Sequence, residues 1–434
     1  MEKHKIHLTI ALGGGVFALL VAALLQLIVI PLTPWHGGNG LLAGGDWVYF
    51  HELAVQMADQ IHLEGWQAWS ARPKGQAPAG VASFLYALTG IRQPWVVLPV
   101  NAILYGVALA ALYSILHDIS GRIRESLLAL LPMFLMPSLV MVFGQIHKDI
   151  WVLAGLFSIL AVWVRMLTRE VPFTAIGCVI LLLGNLAIGY VRPYALELLL
   201  LGQSVMLLCA VTIWIRLRKP NLLLAAGLAI TISMSVNFGL GTGTGAGAAT
   251  GPDPVVCVQW NYTLPLRMFD QKLENIARAR KHLISGYPEA GSSIDTERVF
   301  RQAADVIGYF PRMLQVALLA PFPSHWFDQG KAPGSKVMRA VAALEMSVLY
   351  FSFVGLGAAA FIDRRRIAPM EQPRQLAVVM LLLFTLSWVA IYVLATVNIG
   401  SLYRVRMPAM LLWISFGVLA WQLVLRRVRL DRGL

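Results

Sequence analysis

The chain has 434 residues, of which 58% are hydrophobic and only 13% charged, and it carries a formal net charge of +13. So apolar a composition excludes an ordinary soluble domain with a polar skin, and lipid must solvate most of the chain. The positive charge does not indicate nucleic acid, because the basic residues sit in short clusters between apolar runs, where the positive-inside bias of membrane proteins places them.

The first run, Ile10 to Ile30, has no charge over the ~20 residues needed to cross a hydrocarbon core. It follows Met1-Glu2-Lys3-His4-Lys5 and is longer than the ~7 to 15 residues of a signal-peptide core, so it reads as a retained span. Continuous apolar runs mean helices, since backbone amides in lipid must be paired within the segment or in a closed barrel. Further runs predict spans near 94 to 116, 126 to 144, 149 to 167, 172 to 190, 194 to 215, 221 to 240, 338 to 362, 375 to 396 and 407 to 425. With 8 to 31, that is an all-α polytopic bundle of about ten spans, a single membrane-embedded domain over 1 to 434. Arg122 and Arg124, Arg165 and Arg169, Arg216 with Arg218 and Lys219, Arg364 to Arg366, and Arg426, Arg427 and Arg429 then fall on one side with both termini, the cytoplasmic side. Cys178, Cys209 and Cys257 have no metal-ligand spacing and imply no disulfide framework.

Two outward segments are long, 32 to 93 and 241 to 337, and long connections in compact proteins are usually functional. In the first, Phe50, Leu53, Met57 and Ile61 recur at helical spacing while His51, Glu52, Gln56 and Asp59 take other faces, which predicts an amphipathic helix on the membrane surface. A short apolar helix follows from Ala79 to Leu88 and stops at Thr89-Gly90. The second segment opens with a glycine-rich stretch from Gly241 that lacks the Lys-Ser/Thr ending of a phosphate loop and reads as a hinge or lid. Surface helices are expected over Leu264 to Ile284 and Asp295 to Ile307. Asn261 begins a glycosylation sequon, a pattern common by chance.

Basic residues at the outer ends of spans run against the charge bias and need another reason. Lys148 lies in His147-Lys148-Asp149, Arg192 in Arg192-Pro193-Tyr194, and Arg404 and Arg406 in Tyr403-Arg404-Val405-Arg406 before the last span. All four fall at one membrane depth, on the side of Asp46. A guanidinium fork and a compact ammonium suit a phosphate or diphosphate. The plainer alternative is snorkelling, or pairing with a carboxylate such as Asp149 beside Lys148. Asp46, directly ahead of a helix, suits an N-cap, and equally a general base beside a cationic leaving-group site. Asp149 suits a cap for the fourth span, and Glu197 a structural pair with a neighbouring helix.

This arrangement resembles the C-type glycosyltransferase superfamily, multi-pass enzymes that take a sugar from a polyprenyl-phosphate carrier on the outer side of the membrane. Gly45-Asp46-Trp47 resembles the position of that superfamily's catalytic carboxylate. Pro78 to Gly90, followed by a span, resembles the surface helix and second span of protein-mannosyltransferase-like members. His147 to Asp149, Arg192 to Tyr194, Pro321 to Pro323 and Asn398 to Pro408 resemble motifs of members associated with bacterial polysaccharide production. The resemblance implies inverting transfer to a glycan or lipid-linked acceptor at a bacterial inner membrane. Asp46 would be the base, and Lys148, Arg192, Arg404 and Arg406 would stabilise the departing lipid phosphate. His51, Glu52, Asp149 and Tyr403 are further substrate-binding candidates. Many members carry two acids in the first loop. Here Trp47 and Val48 follow Asp46, so no cofactor is expected and a divalent metal lacks its acid pair.

Two other readings stay open. A polymerase or ligase of lipid-linked oligosaccharide also relies on outward arginines. A transporter or flippase would place ionisable or broken-helix sites near the bilayer midplane.

Overall fold

The computed structural model describes residues 2–169, 175–217, 220–241, 258–265, 267–286, 291–328, 335–366 and 372–431. Helix α1 (Glu2–Leu24) runs on through a π turn at Leu25–Val29 into a short 3₁₀ turn at Ile30–Leu32, where Pro31 ends the regular ladder. The outward segment then forms α2 (Asp46–Glu64) and α3 (Ala77–Thr89). Gly90 closes α3 at φ 71°, a left-handed value glycine takes without a Cβ penalty.

The apolar stripe of α2 does not lie against lipid as the periodicity alone suggests. Phe50, Leu53, Ala54 and Ala58 are buried against Ala79, Ala82 and Tyr86 of α3 and against Val97 and Ile146. Alanines at the crossing let the two surface helices pack closely, so the outer segment carries a small core of its own.

Helix α4 (Leu98–Ser120) packs along α1. A Cβ on Gly106 of α4 would stand 2.3 Å from the Ala11 carbonyl oxygen, so only glycine permits this crossing. The next apolar run is broken. It forms α5 (Ile123–Leu128), α6 (Leu131–Leu135) and α7 (Pro137–Phe143), with a 72° bend at Pro137.

Helices α8 (Asp149–Thr168) and α9 (Ala175–Val191) cross glycine to glycine. A Cβ on Gly155 would meet the Gly184 carbonyl at 2.6 Å, and one on Gly184 the Gly155 carbonyl at 2.9 Å. Helices α10 (Ala195–Leu217) and α11 (Pro220–Gly241) complete this half of the bundle. The glycine-rich residues 242–250, read as a hinge or lid, and Cys257 lie outside the described residues.

In the second outer segment the basic surface helix forms as α12 (Arg267–Gly286). The helix expected from Asp295 starts later, as α13 (Ala303–Gly308) and α14 (Phe310–Leu319). A reciprocal Gln302–Asp305 capping box sets that start. Asp295 itself sits at φ 51° and accepts from Tyr309 Oη at 2.7 Å and from Arg312 at 3.0 and 3.1 Å. The chain ends in α15 (Ser335–Arg366), α16 (Gln372–Ala395) and α17 (Ile399–Asp431).

Seven helices among the described residues, in α1, α4, α8, α10, α15, α16 and α17, are long and apolar enough to cross a bilayer. The broken α5–α7 run is an eighth if taken as one span, and the shorter apolar helices Ala175–Val191 and Leu224–Asn237 occupy the other two of the ten apolar runs. The molecule is thus a polytopic helical bundle and an integral membrane protein. At one of its ends Asp118 of α4 pairs with Arg165 and Arg169 of α8, and Glu125 pairs with Arg122 and with Arg426 of α17. The opposite end carries α2, the start of α8 and the start of α17. The side chains of Arg216, Arg218, Lys219 and Arg364 to Arg366 lie outside the description.

Candidate functional site

Three chain segments meet at that second end: the start of α2, the turn between α7 and α8, and the first turns of α17. Gly45 precedes α2 with extended backbone, so Asp46 occupies the first helical turn. Its carboxylate is not turned back onto a helix amide as a cap. It accepts from Arg404 Nη1 at 3.0 Å, joining residues 358 apart in sequence. Both side chains reach solvent, Asp46 with 61% and Arg404 with 36% of its side chain exposed. A water-facing carboxylate fixed by a guanidinium can still receive a proton from an approaching hydroxyl.

The turn between α7 and α8 is held from behind by buried amides. Asn101 Nδ2 donates to the carbonyls of Phe143 at 2.9 Å and Gln145 at 2.8 Å, and Gln26 Nε2 donates to Gly144 at 3.2 Å. Neither amide signals itself in sequence, since each is a lone polar residue in an apolar run. They fix His147 and Lys148 in place. His147 is buried, with Trp47 beside it at 5.8 Å between ring centroids. Its Nδ1 accepts the Asp149 amide at 3.1 Å. Burial lowers the imidazole to about 4, against the opposing pull of Asp149, so this ring is neutral at pH 7.

Asp149 caps nothing with its side chain and does not pair with Lys148. It forms a buried ion pair with Arg192, which follows α9. Both ends of this pair are placed by the glycine crossing of α8 and α9. Lys148 is left with the face of Phe50, 5.2 Å from its ammonium, and no carboxylate in salt-bridge range among the described residues. Burial first, and then the nearby Arg192 charge, lower it to about 8, with Asp46 and Asp149 opposing. Arg72, from the turn before α3, adds a further positive field here. It was not a candidate in the sequence, having neither a span end nor a motif to mark it. Four cations, Arg72, Lys148, Arg192 and Arg404, thus stand against two carboxylates, and among the described residues neither Lys148 nor Arg72 has a carboxylate in salt-bridge range.

The remaining candidates go elsewhere. Arg404 and Arg406 do not precede the last helix, since α17 begins at Ile399 and includes both. Residues two apart on a helix point in different directions. Arg406 accordingly turns inward, is 1% exposed, and donates to the Ala317 carbonyl at 3.0 Å and to Met346 Sδ at 3.1 Å. It is not brought to Asp46. Tyr403 gives its hydroxyl to buried Glu345. His51 is not solvated on the surface of α2. It is buried between Tyr86 Oη at 3.0 Å and Asn39 Nδ2 at 3.1 Å, which ties α2 to α3 and to the 36–42 turn. Burial lowers its pKa, with Glu52 opposing. Glu52 is exposed and lines an open groove of about 500 Å³ with Gly38, Gln56 and Arg92. Glu197 pairs with Lys272 of α12 at 2.6 Å at the water-facing end of α10.

Among the described residues no three His, Cys, Asp or Glu side chains come together as a metal-ligand set. The donors at Asp46 do not fit a cation, because its carboxylate faces Arg404 and its chain neighbour is Trp47.

No protein-family model matches the sequence, and no curated protein matches it. A similar solved structure is that of the archaeal oligosaccharyltransferase AglB from Archaeoglobus fulgidus in complex with an inhibitory peptide and a dolichol-phosphate, at 15% identity and a TM-score of 0.47. The match covers 99% of this chain and 52% of that one, so the chain spans about half the length of AglB.

Proposed function

We propose that this protein is a membrane glycosyltransferase that moves a sugar from a polyprenyl-phosphate carrier to a glycan or lipid-linked acceptor at the end of the bundle where Asp46 lies. The observation that carries the reading is a water-facing carboxylate, Asp46, joined to Arg404 beside Lys148, a half-buried ammonium with no carboxylate in salt-bridge range among the described residues. A base next to an uncompensated cation is what displacement of a phosphate leaving group requires. In the step, the acceptor hydroxyl gives its proton to Asp46 as its oxygen attacks the anomeric carbon. The bond from that carbon to the phosphate oxygen breaks, and its electron pair stays on the phosphate, whose charge Lys148, Arg404 and Arg72 stabilise. Arg192 is committed to Asp149 and acts by its field and by fixing the start of α8. The carrier's apolar tail lies in the lipid along the bundle.

The basic clusters at the opposite end of the bundle support, under the positive-inside bias, a cytoplasmic position for that end and both termini, with the site outside. The test is the glycan profile of a deletion strain carrying wild-type, Asp46→Asn or Arg404→Ala protein, with membrane levels followed by immunoblot. Both variants are expected to lose product at normal protein levels. Normal product from Asp46→Asn would remove the base and the reading with it.

Two observations favour a second reading, transport. The broken α5–α7 run and the carboxylate of Glu345 are features of transporter sites. Glu345 is, however, occupied by three donors of the protein itself. Movement of a fluorescent lipid-linked sugar across proteoliposomes, unchanged by Asp46→Asn, would support transport.

A further inference from the structure

Glu345 stands in the apolar run of α15, 2% exposed, where an unpaired carboxylate would be costly. It takes the backbone N–H of Ser138 at 2.7 Å on one oxygen, the Ser138 hydroxyl at 2.7 Å on the other, and the Tyr403 hydroxyl on that second oxygen. Ser138 lies in the first turn of α7, just past the break at Pro137, so Glu345 caps this half-helix from another element. Tyr403 lies one residue before Arg404 in α17. The guanidinium of Arg406 stands over the Tyr403 ring, 5.5 Å from its centroid.

One side chain therefore joins the two elements that deliver the halves of the site. Helix α7 leads directly into the turn that carries His147 and Lys148. The first turns of α17 carry Arg404. Neither element is fixed by its own ladder. The break at Pro137 leaves the Ser138 amide without a backbone partner, while Leu139 donates to the Met136 carbonyl at 3.2 Å. Pro408 has no N–H for the Arg404 carbonyl, so the start of α17 is separated from the rest of that helix by a missing bond. External ties must set how the start of α17 is rotated. At its first residue Asn398 Oδ1 accepts the Ser401 amide at 3.1 Å, and Ile399 donates to the Ser292 carbonyl at 3.0 Å. Around Arg404 the ties are Tyr403 to Glu345, Trp388 Nε1 to the Val405 carbonyl at 3.4 Å and Arg406 to the Ala317 carbonyl at 3.0 Å, and of these only the first reaches an element that also holds the Lys148 turn.

We propose that Glu345 is a positioning residue that holds the Lys148 turn and Arg404 in register, so that the Asp46–Arg404 contact depends on a buried carboxylate in another helix. The functional meaning of that register rests on the glycosyltransferase reading, but the register can be measured without any substrate. The experiment uses the full chain in detergent, with Cys178, Cys209 and Cys257 replaced by serine and Asp46→Cys and Arg404→Cys introduced. Cross-linking by a short bifunctional thiol reagent then reports the contact.

Removing a hydrogen bond to a charged group by Tyr403→Phe is expected to lower the cross-linking rate about ten-fold. Glu345→Ala lowers it at least as far, and Glu345→Gln, whose amide oxygen still accepts the Ser138 N–H and whose NH2 can donate to the Tyr403 oxygen with that bond reversed, restores it to within about three-fold of the parent. A merely structural loss would reduce the yield of folded protein without this pattern of rescue. If Glu345→Ala does not fold, Tyr403→Phe decides alone, since it removes a single oxygen. Cross-linking at the parental rate in Tyr403→Phe, or no rescue by Gln in folded protein, would overturn the proposal. Dependence on Glu345 together with normal glycan from Asp46→Asn would leave the positioning intact and reject the transferase.

Discussion

At the scale of single residues, Lys148 gives the sharpest expectation. Its ammonium is charged below about pH 8 and neutral above it. Phosphate binding stabilises the charged form, so affinity is full below that pH and falls by up to about ten-fold per unit as the pH rises past 8. Lys148→Arg removes the dependence, and calorimetric titration with a short polyprenyl phosphate at pH 7 and 9 measures it. A flat profile in the wild-type protein would take Lys148 out of the site. The sequence showed Lys148 and Arg404 as cations out of place under the charge bias, and it showed Asp46 as an acid ahead of a helix. It did not show that Asp46 meets Arg404, because nothing in span order fixes helix packing. It did contain the signal that separates Arg404 from Arg406. Once both are inside a helix, residues two apart cannot share a face. Glu345 was not singled out in the sequence, although a lone carboxylate in an apolar run is itself a signal in a membrane protein.

At the scale of elements, the long apolar runs were legible because lipid leaves the backbone few choices, and the structure keeps them as helices. The broken run was less so. Pro132 and Pro137 stand in a stretch whose hydropathy reads straight through them, and only the packed structure shows that the second half-helix is capped by Glu345 and ends at the Lys148 turn. What covers the apolar face of α2 was hidden for a related reason. Periodicity identifies an apolar face but not what covers it, and here α3 does. The α8–α9 crossing makes its own prediction. Gly155→Ala puts a methyl within about 2.6 Å of a carbonyl that cannot move without its helix. It should cost about 1–3 kcal/mol, by the usual penalty of overpacking, and loosen the Asp149–Arg192 pair. Thermal unfolding in detergent checks the first, and hydrogen exchange of the amides at the start of α8 and around Arg192 checks the second. Unchanged values in both would mean the helices separate freely.

At the scale of the whole molecule, charge divides the two ends. Pairs built on Asp118 and Glu125 gather the basic clusters at one end, and the outer segments and Asp46 occupy the other. The account therefore expects a tag in the exposed turn at Trp66–Ala68 to be reached from outside intact cells, and a tag at the C-terminus only after permeabilisation. The reverse labelling would put the site in the cytoplasm and remove the need for a lipid-linked donor on the outer face. If the cations around Asp46 bind the phosphate of a polyprenyl carrier, the purified protein in nanodiscs will bind undecaprenyl phosphate more tightly than undecaprenol, the uncharged control. Lys148→Ala is expected to weaken the phosphate by about ten-fold or more and to leave the alcohol unchanged. Equal affinity for phosphate and alcohol, or a Lys148→Ala protein that binds the phosphate as the wild type does, would contradict that role for the cations.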